Sequence, residues 1–371
     1  MKRLVNKMLL KEIIEFKNGK KKPSSKGSIP IYGGNGILGY TDQSNHNGES
    51  LIIGRVGAYC GCVYSHYGQC WVSDNAIVGK VNDGNDFYYC YYLLKRLNLN
   101  SRHVGSGQPL MTQEILNNIE INIYDYETQR KVGKILKNID DKIKINSEIN
   151  NNLEEQLRLL FEENILKKLS DENTYECNLY DQFDVIDNRG KTPPLIKYSK
   201  YPIIDVKVLS GTERIINYSN CLKYVNKETY DTFFRSGHPK LYDTLLSTVG
   251  SLAEFKIYLE NIGTIAQNVV ALRPKNEYPL FMYQYILSLR QRLTSYDIGS
   301  VQPSIKVTQF MKEVIKMPND KEIIYKFENL AKANTLKMKN LMMENRYLEQ
   351  LRDALLPKLM NGEINLDNVE V

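Results

Sequence analysis

From Glu127 to Phe161 the chain carries no proline and a single glycine, Gly133, and its apolar residues fall at steps of three and four: Val132, Leu136, Ile139, Ile143, Leu153, Leu157 and Leu160. Asn146 and Asn150 occupy the two intervening rungs. A repeat of about 3.5 residues is the seam of a helix paired with another helix, and this length would make a rod of about 50 Å. A second row of the same kind runs from Lys321 to Met360, through Phe327, Leu330, Asn334, Met338, Leu341, Asn345, Leu348, Leu355 and Leu359. Each row predicts a partner for the other. Asparagines in such seams act as polar layers that set register. The phrase Leu153-Glu154-Glu155-Gln156-Leu157-Arg158 returns as Tyr347-Leu348-Glu349-Gln350-Leu351-Arg352, 194 residues later at the glutamine.

Outside the two rods the apolar runs are short and alternate with turn signals, the pattern of strands. Met8–Phe16 reads as one short element, Ile29–Tyr32 as a strand running into Gly33-Gly34-Asn35-Gly36, and Ser50–Ile53, Ala58–Tyr64, Cys70–Lys80 and Ile115–Ile123 as further strands. Asp86–Leu97 has helical spacing. A second stretch repeats these landmarks. Tyr201-Pro202-Ile203-Ile204 answers Ile29-Pro30-Ile31-Tyr32, Ser247-Thr248-Val249-Gly250 answers Gly54-Arg55-Val56-Gly57, and Gly299-Ser300-Val301-Gln302-Pro303 answers Gly105-Ser106-Gly107-Gln108-Pro109. The offset grows from 172 to 194, which puts about 22 extra residues between Asp205 and Lys240. The expected fold is α+β: two strand-rich α/β domains separated by two long antiparallel coiled-coil helices, an internal duplication with pseudo-two-fold symmetry. The expected boundaries are 1–126 and 170–319 for the globular domains, 127–169 for the first spacer helix, and 320–371 for the second helix with its tail.

Composition adds a mild basic bias, net +6 and pI about 8.7, compatible with a nucleic-acid partner but weak alone. Six cysteines do not make a disulfide framework, and no apolar run is long enough for a signal peptide or a membrane span, so a cytoplasmic protein without a membrane partner is expected. There is no P-loop, no HExxH and no G-x-S-x-G, nor an Asp-Pro-Pro-Tyr or Asn-Pro-Pro-Tyr segment for adenine methylation. No cofactor and no catalytic residue is indicated. Cys60, Cys62, His66 and Cys70 admit zinc in principle, but their spacing fits half-buried thiols along a strand better, and no metal is expected. His46, His103 and His238 read as surface residues. Lys20-Lys21-Lys22 is either a solvated loop or a phosphate contact.

The order globular unit, long helix, globular unit, long helix carries a resemblance. So do the motifs Tyr32-Gly33-Gly34-Asn35-Gly36, Gly54-Arg55-Val56-Gly57-Ala58-Tyr59, Arg189-Gly190-Lys191-Thr192-Pro193-Pro194 and Leu348-Glu349-Gln350-Leu351-Arg352-Asp353-Ala354-Leu355-Leu356-Pro357. The chain resembles the specificity subunit of type I restriction-modification enzymes, along essentially its whole length. The resemblance implies that each globular unit is a target recognition domain reading one half of a split, asymmetric site in double-stranded DNA. It implies long helices that act as a spacer and dock two modification (adenine methyltransferase) subunits. It implies as well that restriction subunits, ATP-dependent nucleases and translocases, join the same assembly, and that this chain itself is non-catalytic. The sequence departs from the family in starting almost directly at the first recognition domain. Base readout needs Arg, Lys, Asn, Gln or small hydroxyls on loops. The candidates are Lys20, Lys21, Lys22, Asn35, Arg55, Tyr59 and Gln108 in the first unit, and Arg189, Lys191, Lys207, Arg214, Thr248, Ser251 and Gln302 in the second. The helix–helix seam candidates are Ile139, Ile143, Asn146, Asn150, Leu153, Leu157, Asn334, Leu341, Asn345 and Leu348. The alternative reading is a two-domain coiled-coil interaction scaffold that reads no DNA sequence.

Overall fold

The computed structural model describes residues 6–105, 107–170, 173–299 and 302–366. Of the sequence landmarks, Ser106, Asp171, Glu172, Ser300 and Val301 lie outside the described residues. The chain forms two compact units. One joins the residues up to Lys144 with those from Glu344 onward, and the other is Ile145–Met343. The helices Tyr126–Asn164 and Lys321–Met360 each contribute one part to either unit.

In the first unit the main sheet is antiparallel, in the order Ile14–Asn18, Ala76–Val81, Glu49–Gly54, Val63–Tyr67. Glu49–Gly54 is a central strand, and its run Leu51-Ile52-Ile53 is buried on both faces. Ile14–Asn18 alternates instead, with Ile14 and Phe16 inward and Glu15 and Lys17 outward. A smaller sheet pairs the hairpin Ile29–Gly33/Gly36–Thr41 with Trp71–Val72, the last pair parallel. Helix Phe87–Arg96 covers the main sheet, and Asp86 caps it by accepting from the Tyr89 N–H at 2.8 Å. Gly133 of the first long helix packs against this cap. A Cβ there would lie 2.3 Å from Asp86 Oδ1 and 2.8 Å from Tyr89 N, so the one glycine of that helix marks a close crossing. Leu359 and Met360 return to this same core, and the Tyr124 hydroxyl donates to the Leu359 carbonyl at 2.9 Å.

The second unit repeats this plan. Its main sheet runs Phe183–Asp187, Val269–Pro274, Thr244–Ser247, Phe255–Ile257, again antiparallel. Ile203–Ile204 pairs parallel with Thr264–Ile265, as Ile29–Gly33 does with Trp71–Val72. Helix Pro279–Ser288 takes the place of Phe87–Arg96, and residues Leu280 to Ile286 are all buried. Its first amides, Leu280 N and Phe281 N, donate to Glu328 Oε2 of the second long helix at 2.9 and 2.8 Å. Burial of that carboxyl raises its pKa, while the two amides oppose the shift. Where the hairpin strand Gly36–Thr41 sets Tyr40 opposite Pro30, the second unit has only a short antiparallel bridge of Tyr224 with Pro202, and Ile203 N donates to the Lys223 carbonyl at 2.8 Å. Helices Val206–Leu209 and Lys227–Phe233 and the turn between them hold the extra residues.

Four sequence expectations are corrected. Cys70–Lys80 is not one strand, because a turn at residues 73–75 parts Trp71–Val72 from Ala76–Val81, and the two belong to different sheets. Met8–Phe16 is not one element, because a turn at Leu10–Glu12 splits it into two strands. Ala58–Tyr64 is not a strand throughout: Gly57–Tyr59 is a tight turn and the strand starts at Val63. Ile115–Ile123 begins as helix Gln113–Asn117, which Thr112 caps, and only Glu120–Ile123 is strand.

Within each unit the two long helices run antiparallel. In the first, Asn345 Nδ2 donates to the Ile143 carbonyl at 3.1 Å and Arg352 Nη1 to Asp140 Oδ1 at 2.7 Å. In the second, Asn150 Nδ2 donates to the Met338 carbonyl at 3.4 Å and Asn334 Nδ2 to Gln156 Oε1 at 3.4 Å. Asn146, Leu157 and Leu341 are buried, while Ile139, Ile143, Leu153 and Leu348 are half-buried. Leu330 is exposed, and Ala331 and Thr335 are buried beside it instead.

Candidate nucleic-acid interface

At one end of the first unit's main sheet, three loops are tied together through the backbone. Arg55 N donates to the Asn75 carbonyl at 2.9 Å, Gly57 N to Pro109 at 3.0 Å, and Met111 N to Arg55 at 2.8 Å. The second unit has the same set. Thr248 N donates to Asn268 at 2.9 Å, Gly250 N to Pro303 at 3.0 Å, and Ile305 N to Thr248 at 2.8 Å. Gly57 and Gly250 occupy matching positions with φ of +72° and +89°, where a side chain would be strained. Each unit thus presents one scaffolded loop cluster.

The basic loop of the first unit joins this cluster. Lys20 N donates to the Val72 carbonyl at 3.0 Å and Trp71 Nε1 to the Lys20 carbonyl at 3.3 Å, which fixes the backbone while Lys20, Lys21 and Lys22 stay exposed. Asn35, Tyr59 and Gln108 are also exposed. Arg55 is half-buried, with Nη1 on the Asp74 carbonyl at 3.3 Å. The hairpin beside them exposes Ile37, Leu38 and Tyr40.

In the second unit, Arg189 is exposed but held by Asp187, Nε to Oδ2 at 2.7 Å, so much of its charge is compensated. Thr192 Oγ1 lies 3.4 Å from Gln267 Oε1, which links that loop to the cluster. Lys191, Lys207, Ser251 and Gln302 are exposed. Two candidates are not at a surface. Thr248 is buried and serves the backbone scaffold. Arg214 is buried: its guanidinium forms a bidentate pair with Glu154 (Nε–Oε2 2.6 Å, Nη2–Oε1 2.8 Å) and donates to Thr335 Oγ1 and Gln284 Oε1. These partners satisfy its donors inside the unit, so it cannot reach a groove.

The cysteine group is part of the core rather than an opening for an ion. Cys60 and Cys70 are buried, and burial pushes both thiols up. The two ring nitrogens of His66 lie 3.2 Å from the Tyr32 hydroxyl and 3.1 Å from the Gln69 carbonyl. Among the described residues no three His, Cys, Asp or Glu side chains are grouped to hold a metal, and no helix is long and apolar enough to cross a membrane. His46 and His238 are half-buried rather than on the surface, and burial lowers the pKa of both.

The charge is unevenly spread. Residues 189–240, which hold the inserted helices, contain ten Lys and Arg against four Asp and Glu. That surplus equals the net +6 of the whole chain. Residues 17–48, the corresponding stretch of the first unit, contain five lysines and one aspartate. Lys197 and Lys200, exposed in the second unit, were not among the sequence candidates; a local rather than a global charge count finds them.

Residues 3–155 match the family model described as type I restriction modification DNA specificity domain. The chain is 35% identical over 111 residues to the type I restriction enzyme EcoprrI specificity subunit of Escherichia coli, a match that covers 30% of this chain and 28% of that protein. It is 27% identical over 334 residues to the type I restriction enzyme HindI specificity subunit of Haemophilus influenzae, covering 69% of this chain and 71% of that one. The crystal structure of the S subunit of a type I restriction-modification system from M. genitalium superposes with a TM-score of 0.62 at 18% identity, over 95% of each chain, and so shares the fold.

Proposed function

We propose, from the membership of residues 3–155 in the type I restriction modification DNA specificity domain family, that this chain is the DNA-reading subunit of such a system and performs no chemistry itself. Each unit reads one half of a split, asymmetric site in double-stranded DNA. The long helices dock two modification subunits, which methylate adenine, and the assembly takes up restriction subunits in the cytoplasm. The globular parts on either side of the first long helix are the two target recognition domains.

One observation carries this reading: the same hydrogen-bonded loop cluster occurs twice, each time with a lysine- and arginine-rich stretch beside it. Phosphate contacts from lysines fix register on a duplex, and side chains from ordered loops read base edges. The contact set is Lys20, Lys21, Lys22, Asn35, Arg55, Tyr59 and Gln108 in the first unit and Arg189, Lys191, Lys207, Ser251 and Gln302 in the second. Two weak readers on one chain act as a bivalent binder.

The test is to map methylated adenines in DNA from cells that co-express this chain with its modification subunit. A two-part motif that depends on this chain is expected, and methylation without sequence preference would reject the reading. With purified chain, duplex affinity should fall steeply as salt rises, roughly 10³-fold or more between 50 and 200 mM if six or more phosphates are contacted. An interaction scaffold would show no sequence preference at any salt.

A further inference from the structure

Where the two scaffolds diverge, the second unit holds an open cavity of about 480 Å³, within the range of small-ligand sites. Its walls are Tyr198, Tyr201, Tyr218, Tyr224 and Tyr230, with Lys200 at the same site. Tyr198 is 78% exposed and rests on Tyr224, with ring centroids 5.1 Å apart. Tyr201 stacks on Tyr230 at 4.5 Å, and Tyr230 stacks on His238 at 3.8 Å with the planes parallel to 1°. The Lys200 ammonium lies 5.3 Å from the centre of the Tyr201 ring. Among the described residues no carboxylate lines the cavity.

These features select an occupant. Flat aromatic walls favour a flat π-system, and stacking on tyrosine tolerates any base. The Lys200 ammonium already at the rings opposes a cationic ligand by like-charge repulsion. An ammonium beside the rings suits an anion joined to the flat group, and the Asn261 side chain, also in the lining, can pair with a polar ring edge. The segment that supplies all five tyrosines, residues 189–240, also carries ten Lys and Arg against four Asp and Glu. We propose that this cavity accepts an unstacked nucleobase of a nucleic-acid strand, with the base against Tyr198 and Tyr224 and its phosphate on Lys200. The inference rests on the second unit being a DNA reader. In the first unit the hairpin sets Tyr40 opposite Pro30 as Tyr224 stands opposite Pro202, but Ile29 stands where Tyr201 does, so the stack of Tyr201 on Tyr230 belongs to the second unit. A base already unpaired enters at least cost.

The test uses the full chain and three probes: a single-stranded oligonucleotide with one 2-aminopurine, the same oligonucleotide in a matched duplex, and free dAMP. The single strand should bind with quenched 2-aminopurine fluorescence. Tyr198→Ala should weaken that binding roughly 5- to 150-fold, the range for loss of one base–aromatic stack, and abolish the quenching. Tyr198→Phe should retain both, and Lys200→Gln should weaken strand binding. Tyr67→Ala, at a tyrosine of equal exposure in the first unit, should change nothing. Because Tyr198 is exposed, the thermal midpoint of Tyr198→Ala should equal that of the parent. Unchanged strand affinity and quenching in Tyr198→Ala would overturn the proposal, as would dAMP binding as tightly as the strand. Duplex binding by the parent chain at low salt tests the DNA-reading role separately, so the cavity can fail while that role stands.

Discussion

Arg214 shows how far a residue's type can mislead. On a polar stretch of sequence it reads as a groove contact, yet its charge is spent on Glu154, 60 positions away. Nothing local signals that partner. Removing one member of a buried ion pair leaves the other uncompensated, so Arg214→Ala should cost about 3–5 kcal/mol of stability in urea unfolding. Arg214→Met with Glu154→Leu should recover much of that loss. His238 is a second case. Its ring stacks on Tyr230, Nδ1 sits 2.9 Å from Thr264 Oγ1, and burial holds its pKa below the ordinary histidine value against weaker opposing pulls from a hydrogen bond to the Tyr230 backbone and from Asp231. The unfolded chain then binds more protons than the folded one. The stability from the neutral ring is therefore complete above about pH 6.5 and is lost as pH falls toward the depressed value. Thermal midpoints at pH 7.5 and 5.5 should differ more for the parent than for His238→Phe.

At the scale of elements, the long helices were legible because their period persists over many turns, and both extend close to where the spacing puts them. Short elements were less so. Ile115–Ile123 alternates like a strand, but Thr112 and the amide of Ile115 start a helical turn there, a local capping effect that periodicity does not register. The asparagine layers were visible as gaps in the apolar row, and the structure supplies their bonds across the helix pair. Asn146 is fully buried. A leucine there should raise the thermal midpoint while lowering hydrogen-exchange protection along both helices, because an apolar seam without its polar layer pairs in more than one register. A single, equally protected register would count against that role.

At the scale of the whole molecule, the duplication was legible from landmark order, whereas the loops' convergence was not, because it depends on bonds between segments far apart in sequence, such as Gly57 to Pro109 and Gly250 to Pro303. The tyrosine cavity was hidden for the same reason: Tyr198, Tyr230 and Ile262 meet only in the fold. If the units read independently, exchanging residues 172–318 for another such unit should alter one part of the methylated motif and leave the other intact. A change in both parts would show that the readers are coupled.

The return of Leu355, Leu356, Leu359 and Met360 to the core of the first unit bears on biosynthesis. A chain that emerges from the ribosome in order offers the second unit all of its residues by Met343, while the unit begun first still lacks its closing helix. Nascent chains usually complete their domains from the amino end; here the earlier unit finishes last. A message cut short near codon 344 would therefore yield a second unit able to fold beside a first unit with an open apolar core, a product marked for degradation rather than a working half-reader.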